Sequence, residues 1–376
     1  MRNIYNSIIC LAYGIFVVIQ VSYNSYFITN GAKIVFYALP YLGMLVLLGL
    51  IVLNIPFFLT NRRSVALFIV MALLFLLTYR HTGYDQILYI YLVPFIVPAV
   101  GGKRLLLTDF KVRTIVTYLI IILSPVLGTV NIFNASTGRW RYSLGFYNPN
   151  SVSTMLLMIA MEAIVLRKLL PQWLAWSVNI VSFILMVAFT QSRTSLLIYV
   201  AFLGLQMLFE YEDRIFGKIK WILAVFPLLL LAFSYFVTYK YMHQPTGIYA
   251  LLNSLLSNRL YLGSYFMERY SVNMWGQQLN FHNNGVEVGT LDNGYLNTLL
   301  RKGLVPTVAI TVIIGWALYK LCKPKYRKYL APILCLVLVG VTENIPFRFG
   351  YNAFLILLAV LVNNKSREVE VKWKLV

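Results

Sequence analysis

Acidic side chains are scarce in this chain, with 12 Asp and Glu against 32 Lys and Arg in 376 residues, and charged residues make up only 12% of the total. That is too little charge to clothe the surface of a soluble protein of this length. The three histidines, His81, His243 and His282, have no metal-ligand spacing, so no metal site is expected. Of three cysteines, Cys10 and Cys335 fall in apolar segments and Cys322 in a basic loop, which excludes a disulfide framework. Phosphate-binding glycine loops, dinucleotide fingerprints and serine-nucleophile elbows are missing, so no nucleotide cofactor is expected. Internal repeats and matching halves are missing too, which weighs against an inverted-repeat transporter.

What the chain has in abundance is apolar sequence, at 60% of residues. Successive runs from Ser7 to Val362 predict an all-α, polytopic membrane protein forming a single transmembrane domain over residues 1–376. Twelve spans are expected, near 7–23, 34–53, 64–79, 86–100, 112–131, 152–170, 173–190, 194–209, 220–239, 303–321, 330–342 and 349–363. The first follows a short basic start without a small-residue cleavage site, and reads as a retained helix. Basic loops at 62–63, 103–113, 167–168, 214–220 and 320–328, and the basic C-terminal stretch, fix both termini on the cytoplasmic side. The net charge of +20 therefore reports orientation and contact with anionic lipid headgroups, not nucleic acid. One long hydrophilic stretch, residues 240–290, is expected outside, between helices nine and ten. Its many aromatic residues suit either stacking on sugars or lying at the headgroup level.

In this register eight arginines face outward: Arg80, Arg139, Arg141, Arg193, Arg259, Arg269, Arg301 and Arg348. Arginine grips phosphate in a forked geometry, so the pattern points to an anionic ligand on that side. Two turns are also short of chain. Residues 330–363 reach about 51 Å as continuous helix, whereas two full crossings need about 60 Å. The turn Thr342-Glu343-Asn344-Ile345-Pro346-Phe347-Arg348 must therefore be sunk. The turn Thr190-Gln191-Ser192-Arg193-Thr194 is squeezed in the same way, and a membrane-depth arginine is a candidate functional residue.

Four segments can carry chemistry. Gly145 to Ser151 opens the sixth span, where Asn150 or Ser151 can cap the helix and the exposed N-terminus, with Asn148 nearby, can hold an anion. Arg193 heads the eighth span. Asp292, before Asn293-Gly294-Tyr295, reads either as a helix N-cap or as a carboxylate placed to accept a proton from a sugar hydroxyl. Glu343 is either a second such carboxylate or the ion-pair partner of Arg348. Arg259 and Arg269, ten residues apart, cannot grip one phosphate, and Arg269 reads as an ordinary surface charge. His282 reads as a turn residue that can also shuttle a proton.

The ordered set Gly145-Phe-Tyr-Asn-Pro-Asn150, Thr190-Gln-Ser-Arg-Thr194, Asn258-Arg259 and Asp292-Asn-Gly-Tyr-Leu-Asn-Thr-Leu-Leu-Arg-Lys-Gly-Leu304 resembles the O-antigen polymerase and O-antigen ligase superfamily (Wzy and WaaL) over roughly residues 140–350. The resemblance implies a glycosyltransferase of the bacterial cytoplasmic membrane that works on undecaprenyl-pyrophosphate-linked glycans at the outer face, in the company of other polysaccharide-assembly proteins. It puts Arg193 and Arg259 at pyrophosphate-binding positions and Asp292 where ligases carry an activating histidine. Asp in place of His there looks more like a repeat-unit polymerase of a capsule or exopolysaccharide cluster. Asp292, Arg193 and Arg259 are thus the catalytic candidates, and Asn148, Asn150, Arg139, Arg141, Arg348, Glu343, Tyr295 and His282 are the candidates for substrate binding. A ligase and, in another class, a lipid-linked oligosaccharide flippase are the alternative readings.

Overall fold

The computed structural model describes residues 2–28, 33–83, 85–134, 140–211, 215–283, 286–287, 290–344 and 347–362. Six helices among them are long and apolar enough to cross a membrane: Asn3–Ser22, Ile34–Phe58, Arg62–Thr82, Gln172–Thr190, Lys218–His243 and Leu304–Leu321. Shorter apolar helices fill the space between them. The chain has the fold of a helical multi-pass membrane protein.

The long helices are α1 (Arg2–Ser22), α2 (Lys33–Phe58) and α3 (Arg62–Thr82) in the first part of the chain. Leu45, Leu73 and others on α2 and α3 stay exposed, as lipid-facing residues do. After a short α4 (Tyr89–Leu92) comes α5 (Gly102–Leu123), then a hairpin of β1 (Ile132–Asn134) and β2 (Trp140–Tyr142). Every residue of α6 (Pro149–Val165) except Asn150 is buried, because α6 is apolar on all sides and sits at the centre of the bundle. Around it pack α7 (Gln172–Leu185), which ends in a π turn at Met186–Thr190, and α8 (Arg193–Tyr211). The second half holds α9 (Ile215–His243), α10 (Gly247–Leu255), α11 (Arg259–Arg269), a short hairpin of β3 (His282–Asn283) and β4 (Val286–Glu287), α12 (Gly294–Lys302), α13 (Leu304–Leu321) and α14 (Leu330–Val339).

Three expected spans are built differently. Residues 86–95 are broken into 3-10, α and 3-10 pieces around Pro94, and all of them are buried. The last segment, Ala353–Leu361, is a buried 3-10 helix that packs against Val93–Phe95. At about 2.0 Å per residue a 3-10 helix stretches a short sequence further than an α-helix can. Backbone this irregular is tolerated at membrane depth only because protein surrounds it. The third difference is α5, which starts at Gly102, ten residues before the expected span. Arg113, expected in a basic loop, is thereby carried into the interior at 0% exposure.

Arg113 is held there by Asp109 one turn earlier. Its Nε lies 2.6 Å from Asp109 Oδ1, Tyr13 Oη donates to Asp109 Oδ2 at 2.6 Å, and Arg113 Nη1 donates to the Gly350 carbonyl at 2.6 Å. The knot ties α1, α5 and the 349–351 turn together. Glu162 of α6 is equally buried, and neither of its carboxylate oxygens has a hydrogen-bond partner among the described residues.

The 240–290 stretch is helical up to Arg269 and irregular after it. The turn between α10 and α11 passes through left-handed residues Ser257 and Asn258, and Asn253 Oδ1 accepts from Tyr261 N at 3.0 Å, which sets Arg259 as the first residue of α11. Phe266, Leu279, Leu291, Leu296 and Leu300 form a small second core that fastens the stretch to α12. Its aromatic residues are thus partly spent on packing.

Candidate functional site

An open cleft of about 460 Å³ lies at one end of the bundle. Its wall draws on segments far apart in sequence: Tyr23 after α1, Asn148 and Asn150 at the start of α6, Asp292 before α12, and Glu343 and Arg348 in the turn after α14. Basic residues gather at the opposite end, where Lys220 lies over the Tyr319 ring and Arg63 is close enough to repel Lys320.

Each wall residue has a local reason for its place. Asn148 is the N-cap of α6, its side chain accepting from Ser151 N at 2.8 Å, with Pro149 preformed for the first helical position. The cap is therefore Asn148, neither Asn150 nor Ser151, and this frees the Asn150 amide. Arg141, on β2, donates to Asn150 Oδ1 at 2.5 Å and to the Thr190 carbonyl at 2.9 Å, so the squeezed turn is tied to the head of α6.

Asp292 is not a cap either. Asn293 caps α12, accepting from Leu296 N at 3.0 Å, while Asp292 Oδ1 accepts from Thr290 Oγ1 at 2.7 Å. Gly294 explains how α12 comes so near the sunken turn. Its N–H donates to the Gly340 carbonyl at 2.8 Å, and a Cβ there would meet the Glu343 carbonyl at 2.8 Å, so any other residue would push Asp292 away from Glu343.

The partner of Glu343 is Arg259, not Arg348. Arg259 Nη2 donates to Glu343 Oε1 at 2.5 Å, and its Nε lies 3.7 Å from Asp292 Oδ2. One guanidinium thus faces two carboxylates, of which Glu343 is the more deeply buried. Burial pushes the Glu343 carboxyl up and Asp292 adds to the effect, while Arg259 and Arg141 pull it down; the balance leaves it at about 7.

A smaller pocket of about 120 Å³ adjoins the cleft, sharing Tyr23 and Arg348 with it and adding Asp85, Gln86 and Arg301. Asp85 Oδ2 lies 3.2 Å from Arg301 Nη1 and 3.4 Å from Lys302 Nζ, and Lys302 also donates to Thr82 Oγ1 at 3.1 Å. Burial raises the Asp85 carboxyl, but Lys302, Arg348 and Arg301 together outweigh it and hold it below the usual carboxylate range. Burial brings Lys302 down to about 8, against the pull of Asp85 and with further push from Arg301 and Arg348. Sequence reasoning missed Asp85 and Lys302. The available signal was rarity: with twelve acids in the chain, one beside an apolar segment is conspicuous.

Other candidates sit elsewhere. Arg193 heads α8, is exposed and makes no hydrogen bond or ion pair among the described residues, and it does not line the cleft. Tyr295 is buried, with its Oη donating to the Val337 carbonyl at 3.0 Å and its ring 5.1 Å from Phe347, so it fastens α12 to α14. Arg269 stacks on Tyr265, 3.5 Å from the ring centre, as a surface charge. Arg139 and the His282 side chain lie outside the described residues. No group of three or more His, Cys, Asp or Glu that could hold a metal occurs among the described residues. No known protein family, no curated protein and no solved structure matches the chain.

Proposed function

We propose that this protein is a polysaccharide polymerase that joins lipid-diphosphate-linked oligosaccharide repeat units at the outer face of a bacterial cytoplasmic membrane. In this reading the bundle crosses the membrane twelve times with both termini cytoplasmic, the basic end inside and the cleft outside. The observation that carries it is the meeting of Asn148, Asn150, Asp292, Glu343 and Arg348, all singled out in the sequence, on the wall of one cleft at the end of a bundle of apolar helices.

The donor is the growing glycan on undecaprenyl pyrophosphate, and the acceptor is a hydroxyl of a single lipid-linked repeat unit. The hydroxyl oxygen attacks the donor's anomeric carbon. A new C–O bond forms, the bond to the diphosphate oxygen breaks with its electron pair leaving on the diphosphate, and the hydroxyl proton passes to a carboxylate. Because the leaving group is already activated, the protein has to position, neutralise charge and accept one proton. Glu343 is the better acceptor, since a base near 7 suits work at neutral pH. Asp292 then raises the proton affinity of Glu343, and Arg259 orients both. Exposed Tyr147 beside the cleft offers a ring to a sugar face.

The glycan of a strain lacking the gene tests this. Loss of a polymerase leaves single repeat units on finished molecules and no polymer. Full polymer retained on its lipid carrier would instead identify a ligase. The deep Asp109, Arg113 and Glu162 cluster favours a second reading, a flippase, because buried ionisable groups at membrane depth often mark a transport path. Neither cavity is lined by any of the three. Loss of every outer-face intermediate in the deletion strain would select that reading.

A further inference from the structure

We propose that the pocket between Asp85, Arg301 and Arg348 is a subsite for a diphosphate-class oxyanion, and that it, not Arg259, grips the lipid diphosphate. The inference rests on the glycan-transfer reading for the ligand's role in turnover, but the binding itself requires no turnover.

Charge balance separates the two ends of the cleft. At one end Arg259 and Arg141 face Glu343 and Asp292, two cations against two carboxylates, and Arg259 already bonds to Glu343 with Asp292 beside its Nε. At the other end Arg301, Lys302 and Arg348 act on one carboxylate, Asp85. Two positive charges are left over in a half-enclosed space, a costly arrangement unless an anion completes it. Arg348 is half-buried, lines both cavities and makes no hydrogen bond or ion pair among the described residues, so its forked donors are free for phosphate oxygens. The pocket's volume of about 120 Å³ leaves room for a phosphate group. The Tyr23 hydroxyl and the Gln86 amide supply neutral donors on the same wall.

The pocket is also rigidly made. Gly276 and Gly303, at φ +93 and +92, let the 273–277 segment lie directly on the turn between α12 and α13, where a Cβ on Gly303 would collide with Gly276 N. Gln277 N donates to the Arg301 carbonyl at 3.0 Å and Leu304 N to the Asn273 carbonyl at 2.8 Å, which clamps the backbone on both sides of Lys302. Asp85 Oδ2, 3.2 Å from Arg301 Nη1 and 3.4 Å from Lys302 Nζ, is the one anion that competes for those cations, with Arg301 on the pocket wall and Lys302 buried behind it. The lipid diphosphate then sits at the Asp85 end, and the anomeric carbon lies toward Glu343.

The test is binding of undecaprenyl pyrophosphate, and separately of inorganic pyrophosphate, to the full-length protein in phosphatidylcholine nanodiscs. Arg348→Gln removes no contact seen among the described residues and should weaken binding at least about tenfold, the loss of charge-assisted bonds. Asp85→Asn keeps the cap on Ile87 N, since Asn caps as well as Asp, and removes the one competing anion, so binding should tighten at least about tenfold. A gain of affinity cannot come from misfolding. Arg259→Gln should leave binding within about twofold. Equal dependence on these residues with inorganic pyrophosphate assigns the pocket to the phosphates themselves; dependence seen only with the lipid form assigns it to the lipid-linked ligand. Unchanged or weaker binding in Asp85→Asn, or loss in Arg259→Gln with normal binding in Arg348→Gln, overturns the inference. Polymer formation alongside those outcomes would leave the polymerase reading standing, whereas binding as expected without any polymer would overturn that reading alone.

Discussion

The Asp109–Arg113 pair and the Arg259–Glu343 pair are both buried, both close, and built for different ends. Arg113 gives its donors to both Asp109 oxygens and to the Gly350 carbonyl, Tyr13 also donates to Asp109 Oδ2, and no solvent reaches the pair. Arg259 instead stands at the edge of an open cleft with two carboxylates around it and part of its surface exposed. A knot with its donors and acceptors taken up holds helices in place. A cation shared by two acids, one of them near 7, is poised to exchange a proton. The two are mechanically linked, because Gly350, which Arg113 holds, lies two residues from Arg348, and Tyr351 Oη bonds to Ser151 Oγ at 3.1 Å at the head of α6.

The largest effect should come from breaking the knot. Arg113→Met leaves Asp109 buried without its partner, a change worth about 3–5 kcal/mol, and folded protein recovered by size exclusion should fall sharply. Replacing both, Asp109→Leu with Arg113→Met, should restore most of the yield and keep polymer formation; a well-folded double variant without polymer would move the knot from structure into mechanism. In the cleft, Glu343→Gln should keep the fold and lower turnover by about a hundredfold or more, the usual size of a lost general base. Since the base must be deprotonated, wild-type activity should rise with pH through about 7, a midpoint set by burial, Asp292, Arg259 and Arg141 together. A milder change should follow Asp292→Asn. It removes a charge that raises Glu343, so the midpoint should move down, and an unmoved profile would separate Asp292 from Glu343. Least of all, Tyr295→Phe should cost about 1 kcal/mol of stability from the lost bond to Val337 and leave the substrate KM unchanged.

The sequence made some of this plain and hid the rest for physical reasons. Long uncharged runs such as 34–53 and 303–319 declare themselves, because nothing else buries so many apolar residues. The start of α5 did not, since Asp109 and Arg113 read as loop charges when each is considered alone; only their spacing of four residues makes them an internal pair. Chain length pointed to the 342–348 turn, where Glu343 is buried, but length says nothing about partners, and Arg259 lies 84 residues away. Caps shifted by a residue or two, to Asn148 and Asn293, because Asn, Asp and Ser cap almost equally well and tertiary packing chooses among them. Asp85 with Lys302 joins segments more than two hundred residues apart, which a pattern within one helix cannot reveal.

If the protein is a polymerase, the cleft between Asn150, Asp292, Glu343 and Arg348 transfers glycan from one lipid diphosphate to another. The most direct test of this is purified protein reconstituted with lipid-linked repeat units, followed by separation of the products by length. A ladder of increasing glycan length is expected from the wild-type protein, with one lipid diphosphate released per bond formed, and no ladder from Glu343→Gln at pH 7. A full ladder from Glu343→Gln, or none from the folded wild-type protein supplied with its own organism's repeat unit, would contradict it.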